Sequence, residues 1–298
     1  MKVAVVGASG RLGSRVVEAL LERDYEVRCL TRRWPVENKG DVEYVRGDVA
    51  NVEALTELLE GCSCVIAPFG ASRRTKLSDL WKNPENDPEH SRNVNYEGVK
   101  NLMTACEKTG CKRLIRVTGQ NENPWSFFTI LINALGSMAK AWNAEAENAL
   151  RDNEKIDYTI IRPGVMSKDS IKNYALNDNG NKLKVSRISY DAVADLMVSS
   201  IEKNNTRRAT LVAMTSPNGP SSWQSLLDKV TPDSRQFPLS PFKKHLFAVR
   251  VVGLVTFITL TLALRGLLLF LTGFFKTLLT AEKSLLLNPL TDLPDPLL

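Results

Sequence analysis

Histidine is almost missing from this chain: His90 and His245 are the only two in 298 residues. The five cysteines, at positions 29, 62, 64, 106 and 111, are scattered, so no His/Cys cluster has zinc-ligand spacing and no metal site is expected. Their odd number also speaks against a disulfide framework and for a reducing compartment, cytosol or plastid-type organelle. Net charge is +6, but both signs are interspersed and no basic block alternates with aromatics, which sets nucleic-acid binding aside. Two narrower absences matter more. No carboxylate lies between Val27 and Val36, and no tyrosine between Tyr96 and Tyr158. Met1 leads straight into an apolar run, so no signal or transit peptide is expected before the first strand.

What is present suffices for one substantial α/β core, with an apolar remainder at the C-terminus. Strand-like runs at 2–6, 26–30, 42–46, 63–67, 112–117 and 157–161 alternate with helical patterns at 11–23, 51–60, 93–109, 137–153 and 190–203. The alternation predicts a doubly wound, Rossmann-type parallel sheet. Residues 71–92, with Pro84 and Pro88, form a long connection of the kind that is commonly functional or mobile. Leu183–Ile188 reads as another strand, Ser189 as the cap of the helix from Tyr190, and Thr210–Ala213 as an edge strand. Residues 1–215 are therefore expected to hold the sheet and a small substrate lobe, mainly 164–215. Prolines 217, 220, 232, 238 and 241 suggest a linker over 216–241, before a tail at 242–298.

Gly7-Ala8-Ser9-Gly10-Arg11-Leu12-Gly13 stands between the apolar run Val3–Val6 and a helical pattern. A dinucleotide-binding turn needs that placement. The first glycine permits the turn, the second lets backbone approach a pyrophosphate, and the third allows close helix–strand packing, with phosphate on the helix N-terminus. Gly7, Ser9, Gly10, Arg11, Leu12 and Gly13 are thus candidate cofactor residues, although the spacing G-x-x-G-x-x-G differs from the commoner G-x-G-x-x-G. An NAD site places an acid at the end of the second strand for the ribose hydroxyls. This chain has Arg32 and Arg33 there, which suit a 2′-phosphate, so NADP(H) is the expected cofactor. Asp48 and Val49, after the third strand, are placed for the adenine edge, and Asp48 also as a helix cap. Pro68, Phe69 and Gly70, after the fourth strand, would pass over the cofactor.

These runs, with Asn95–Leu102, Lys112–Thr118, Asp157–Gly164 and Asp191–Ala194, resemble the atypical short-chain dehydrogenase/reductase group that includes the NmrA-like proteins, over residues 1–215. The resemblance implies that Pro163 and Val165 sit beside the nicotinamide and that Thr118 holds the position of the catalytic serine. Catalytic members of the wider superfamily use Tyr-x-x-x-Lys, the lysine lowering the tyrosine pKa. Here Lys140 has no partner phenol. Isoflavone-reductase-like branches work with a lysine alone, which leaves Lys140 as proton donor or ribose ligand. Three readings follow: an NADPH-dependent reductase of a small carbonyl or quinone-like substrate, a nucleotide-binding redox sensor that holds a protein partner without turnover, or a membrane assembly or scaffold factor.

Residues 251–275 are apolar except for Thr256, Thr259, Thr261, Thr272 and Arg265, a central charge costing about 2.5–3.5 kcal/mol on insertion. At 100° per residue, Lys243, Arg250, Thr261, Arg265, Thr272, Lys276 and Lys283 fall in a stripe of about 80°. A narrow basic stripe fits a helix lying on a membrane surface through residues 243–283; a spanning tail and a helix covering a protein partner are the alternatives. Gly253, Gly266 and Gly273 predict interruptions.

Overall fold

Uninterrupted apolar runs become strands here because a parallel strand buried on both faces needs no polar side. The computed structural model describes residues 1–32, 42–76, 79, 84–120, 122–169, 172–180, 183 and 186–287, the side chains to 280. The chain runs β1 (Lys2–Val6), α1 (Arg11–Leu21), β2 (Glu26–Thr31), β3 (Val42–Arg46), α2 (Val52–Leu59) and β4 (Cys64–Ala67). A π-helical stretch, Arg92–Glu97, leads into α3 (Gly98–Thr109), followed by β5 (Arg113–Val117), α4 (Phe127–Leu135), α5 (Ala139–Asp152) and β6 (Asp157–Pro163). Then come β7 (Val165–Ser167), β8 (Tyr174–Asn177), β9 (Arg187–Ser189), α6 (Tyr190–Ser199), β10 (Ala209–Thr215), α7 (Gln224–Leu227) and α8 (Pro241–Leu287).

The main sheet has the order β3-β2-β1-β4-β5-β6-β10-β8, parallel except for β8. The strand order reverses between β1 and β4, where an open α/β sheet leaves its ligand crevice at the strand C-termini. On one face α1 and α6 bury Val16, Leu20, Val193 and Leu196; on the other α2, α3 and α5 bury Leu55, Leu58, Leu102 and Leu150. Each such side chain stabilises the fold by roughly 1.5–3 kcal/mol. All five cysteines are buried in these layers. Burial pushes the thiols of Cys29 and Cys64 up to about 12 and that of Cys62 up to about 11.

Several expectations are corrected. Thr210–Ala213 is interior, because the unforeseen β8 pairs outside β10, so only β7 and β9 form a separate two-stranded sheet in the expected lobe. The helix expected from 137 starts at Ala139, after Ser137 and Met138 take left-handed backbone. The strand expected at 183–188 is β9, three residues long, and residues 184 and 185 lie outside the described residues. Segment 216–241 packs on the head: Trp223 stacks on Tyr174 with ring centroids 4.2 Å apart, donates from its indole to the Ala192 carbonyl and is buried with Leu227 and Val230. In the described part of connection 71–92, Arg73 pairs with Asp79 and Asp87 and donates to Ser137. Ser189 does cap α6, accepting from the Ala192 amide at 3.0 Å.

Met1–Ala248 forms one compact unit and Val249–Leu298 another. The glycines do not interrupt α8. A single helix glycine costs about 1 kcal/mol, which the flanking leucines and phenylalanines offset. Pro241–Thr280 is, by length and composition, long and apolar enough to cross a membrane, and its apolar window is unburied.

Candidate active site

Gly7 has φ +100°, a left-handed conformation that favours glycine, and a Cβ there would press against Phe69 at 2.9 Å. At Gly13 the demand is spatial: a Cβ would lie 1.9 Å from the Gly7 carbonyl oxygen. The turn closes through the Gly10 amide donating to the Gly7 carbonyl at 3.0 Å. Gly10 precedes α1 without a side-chain cap, so the first-turn N–H groups are left for an anion. Ser9, Gly10 and Arg11 are exposed, while Leu12 and Gly13 are buried against the sheet.

Arg32, at the end of β2, lies 3.9 Å from Asp48, both solvent-facing. Arg33 lies outside the described residues. Asp48 does not cap α2; Asn51 does, accepting from the Ala54 amide at 3.0 Å, while Asp48 accepts from the Ala50 amide two residues on. Val49 is buried, and its carbonyl accepts from Asn101 at 3.0 Å. Beyond β4, Arg116 holds the Pro68-Phe69-Gly70 segment. Its guanidinium lies over the Phe69 ring at 4.1 Å, donates to the carbonyls of Ala67 (2.9 Å) and Phe69, and is pushed down to about 9 by complete burial. The Asn95 side chain accepts from the Ala71 amide at 2.8 Å and completes the clamp.

Thr118 continues from β5, and its hydroxyl donates to Glu147 Oε1 at 2.6 Å. Glu147 is 1% exposed and also ion-paired to Arg162 and Arg151, and these cations overcome its burial and hold the carboxyl down at about 2. Arg162 bridges onward to Glu122 at 2.5 Å, which pairs in turn with Arg235. Lys140 occupies the first turn of α5, two turns before Glu147. Its Nζ donates to the Gln120 carbonyl, and burial pushes it down to about 8. α5 is oriented by Asn133, whose side-chain oxygen accepts from the backbone amides of Lys140 (3.0 Å) and Ala141 (3.2 Å).

Thr118, Gln120, Lys140, Arg162, Pro163 and Val165 are brought together on one cleft of about 450 Å³. Gln120 Nε2 is buried there without a partner, a donor left for a ligand. Pro163 ends β6, Gly164 is held by its amide donating to the Ala213 carbonyl at 2.9 Å, and Val165 is exposed at the rim. Glycine turn, β4 loop and cleft all stand at C-terminal strand ends, flanking the switch point. The turn, its uncapped helix and Arg32 fit a dinucleotide. Sequence reasoning missed Glu147, Arg162, Glu122 and Arg116. The spacing from Lys140 to Glu147, two turns on one helix, is the signal that could have found the first.

Relatives similar in sequence to this chain include the following three. An uncharacterized chloroplastic protein of Arabidopsis thaliana is 27% identical over 71% of this chain and 76% of its own length. Protein TIC 62, chloroplastic, of the same plant is 24% identical over 82% of this chain, which spans only 37% of that relative. The photosystem II assembly factor Ycf39 of Trieres chinensis is 24% identical over 76% of this chain and 66% of its own length. Among solved structures, the oxidoreductase ylbE of Lactococcus lactis superposes with TM-score 0.61 at 21% identity, covering 76% of this chain and 95% of its own. A short-chain dehydrogenase/reductase of Veillonella parvula in complex with NADP gives 0.57 at 15%, covering 74% and 97%. These likenesses bear out the Rossmann-type fold. Residues 7–204 match the family described as NAD(P)H-binding, in keeping with the NmrA-like resemblance, and the chain belongs to that family.

Proposed function

We propose that the chain is an NADPH-dependent reductase of a small carbonyl or quinone-like compound, attached to a membrane through residues 243–283. The observation that carries this reading is Lys140: a half-buried ammonium at the cleft, with its pKa lowered to about 8, beside the Pro163–Val165 turn and without a phenol. A proton held that loosely near neutral pH suits a general acid. When bound, NADPH supplies the hydride that reduces the carbonyl carbon. Lys140 delivers a proton to the carbonyl oxygen and is restored from solvent. Gln120 fixes the amine through its carbonyl and offers its free amide N–H to the substrate. Arg32, with Arg33 next in sequence and no carboxylate between Val27 and Val36, supports NADPH over NADH. The apolar α8 supports membrane attachment, and the chloroplastic relatives support a plastid-type compartment for the head.

A second reading, nucleotide binding without turnover as a sensor or assembly factor, is favoured by one observation: the Thr118 hydroxyl is committed to Glu147. The test is NADPH oxidation by the full chain in detergent against a panel of quinones and aldehydes, alongside titration with both dinucleotides. Turnover supports the reductase. Clear binding with no turnover supports the second reading, and equal affinity for NADH and NADPH removes the arginine argument.

A further inference from the structure

α4 is built inside out. Its polar side chains Thr129 and Asn133, one turn apart, face inward at 4% and 2% exposure, while Phe127 (72%), Phe128 (60%) and Leu135 (60%) face outward with Leu131 and Ile132. A surface helix in water arranges the reverse. The inward side has polar work that explains half of this: Asn133 holds the start of α5 through its oxygen and meets His245 Nδ1 at 3.1 Å through its nitrogen. Nothing in the fold requires the outward side to be apolar. Yet no charged residue occurs between Asn123 and Ala139.

The same surface extends past α4. Trp125 is exposed and meets Phe247, on the first turns of α8, edge-on at 6.0 Å; Phe247 is exposed too. Four aromatic rings alone leave on the order of 500 Å² uncovered, which reaches the largest patches of ordinary monomers before the leucines are added. Protein interfaces carry hydrogen-bonding groups across such an area, and this one presents almost none. Beyond Ala248 the chain continues into exposed apolar residues as far as 280, which tethers Phe247 to the segment suited to lipid. The inner edge of α4 meanwhile forms a wall of the cleft, through Phe128, Thr129 and Ile132. Patch and cleft mouth therefore share Phe128 and Ile132.

We infer that the outward face of α4 lies in the apolar part of a bilayer and that the cleft takes its substrate, a lipophilic carbonyl compound such as an alkyl-tailed quinone, from the lipid past Phe128 and Ile132. The substrate half rests on the reductase reading; the seating of α4 does not. Trp125 then marks the border of the lipid, where its amphipathic ring is at home.

The test uses the full chain in phosphatidylcholine vesicles with a nitroxide at Leu131→Cys or Leu135→Cys, and at Lys108→Cys on α3 as the aqueous control. Expected is a several-fold gain in oxygen accessibility and loss of access to a water-soluble nickel reagent at 131 and 135, with no change at 108. Aqueous accessibility retained at 131 and 135 in vesicles overturns the seating. So does shielding from both reagents in detergent, which would mean that a protein copy covers the face. In the same vesicles, the double variant L131K/L135K should raise KM at least tenfold for a decyl-tailed benzoquinone and leave NADPH affinity and the KM for unsubstituted benzoquinone unchanged. Equal effects on both quinones overturn the lipid route. If the unaltered chain reduces neither quinone, the substrate half falls with the reductase reading, and the labels still decide the seating.

Discussion

Lys140 and Glu147 share a helix and opposite fates: burial depresses the amine, while three partners keep the carboxyl ionised. If Lys140 donates the proton, Lys140→Met should lower kcat by about 10²-fold or more and leave NADPH affinity within a few-fold, as stopped-flow and fluorescence titration would read. The wild-type rate should fall as pH rises through about 8, since the donor must be protonated. Linkage has the matching sign: the unfolded lysine holds its proton up to its ordinary pKa of 10.5, so this group's contribution to stability increases from about pH 8 to 10.5, an increase absent from Lys140→Met melts. Glu147 behaves oppositely. Its depressed pKa contributes stability above 4.5 that is lost as pH falls towards 2, and Glu147→Gln should cost about 3 kcal/mol in a denaturant melt by stranding Arg162 and Arg151. The place of Lys140 at the cleft was legible in the sequence because a family position pointed to it. Glu147 was not, because one carboxylate among the polar residues of a helix carries no periodic mark of burial.

Among the elements, the glycine turn was readable as a tight strand-to-helix turn, since backbone sterics leave few residues able to stand at Gly7 and Gly13. Gly13→Ala should therefore abolish measurable NAD(P)H binding and lower the melting temperature, because its methyl would meet the Gly7 carbonyl at 1.9 Å. An unchanged nucleotide titration would remove this turn from the binding site. α4 was hidden for the opposite reason: Phe127–Leu135 is apolar but for Thr129 and Asn133, and the inward turn of Asn133 is held by tertiary hydrogen bonds. Connection 71–92 was read as functional or mobile from its length and prolines; in its described part the buried Arg73 guanidinium pairs with Asp79 and Asp87. Arg73→Leu should speed amide exchange over the described part of that connection, read by mass spectrometry, and loosen Ser137 ahead of Lys140.

At the scale of the whole molecule, alternation of strand and helix foretold the parallel sheet, because each strand required cover on both faces. It could not foretell β8, a four-residue strand whose pairing depends on contact with β10 rather than on its own composition. The apolar tail was equally plain, although its unbroken helicity was not. The full chain should pellet with vesicles and resist a high-salt wash; release by alkaline carbonate would mark a surface-lying helix and retention a spanning one. The five cysteines have a consequence at this scale. All five thiols are buried, and burial pushes those of Cys29, Cys62 and Cys64 up, so an oxidant or alkylating reagent in solution meets little accessible sulfur on the folded protein. A cysteine introduced at an exposed position such as Leu131 or Leu135 would therefore be labelled ahead of the native five, which can stay in place.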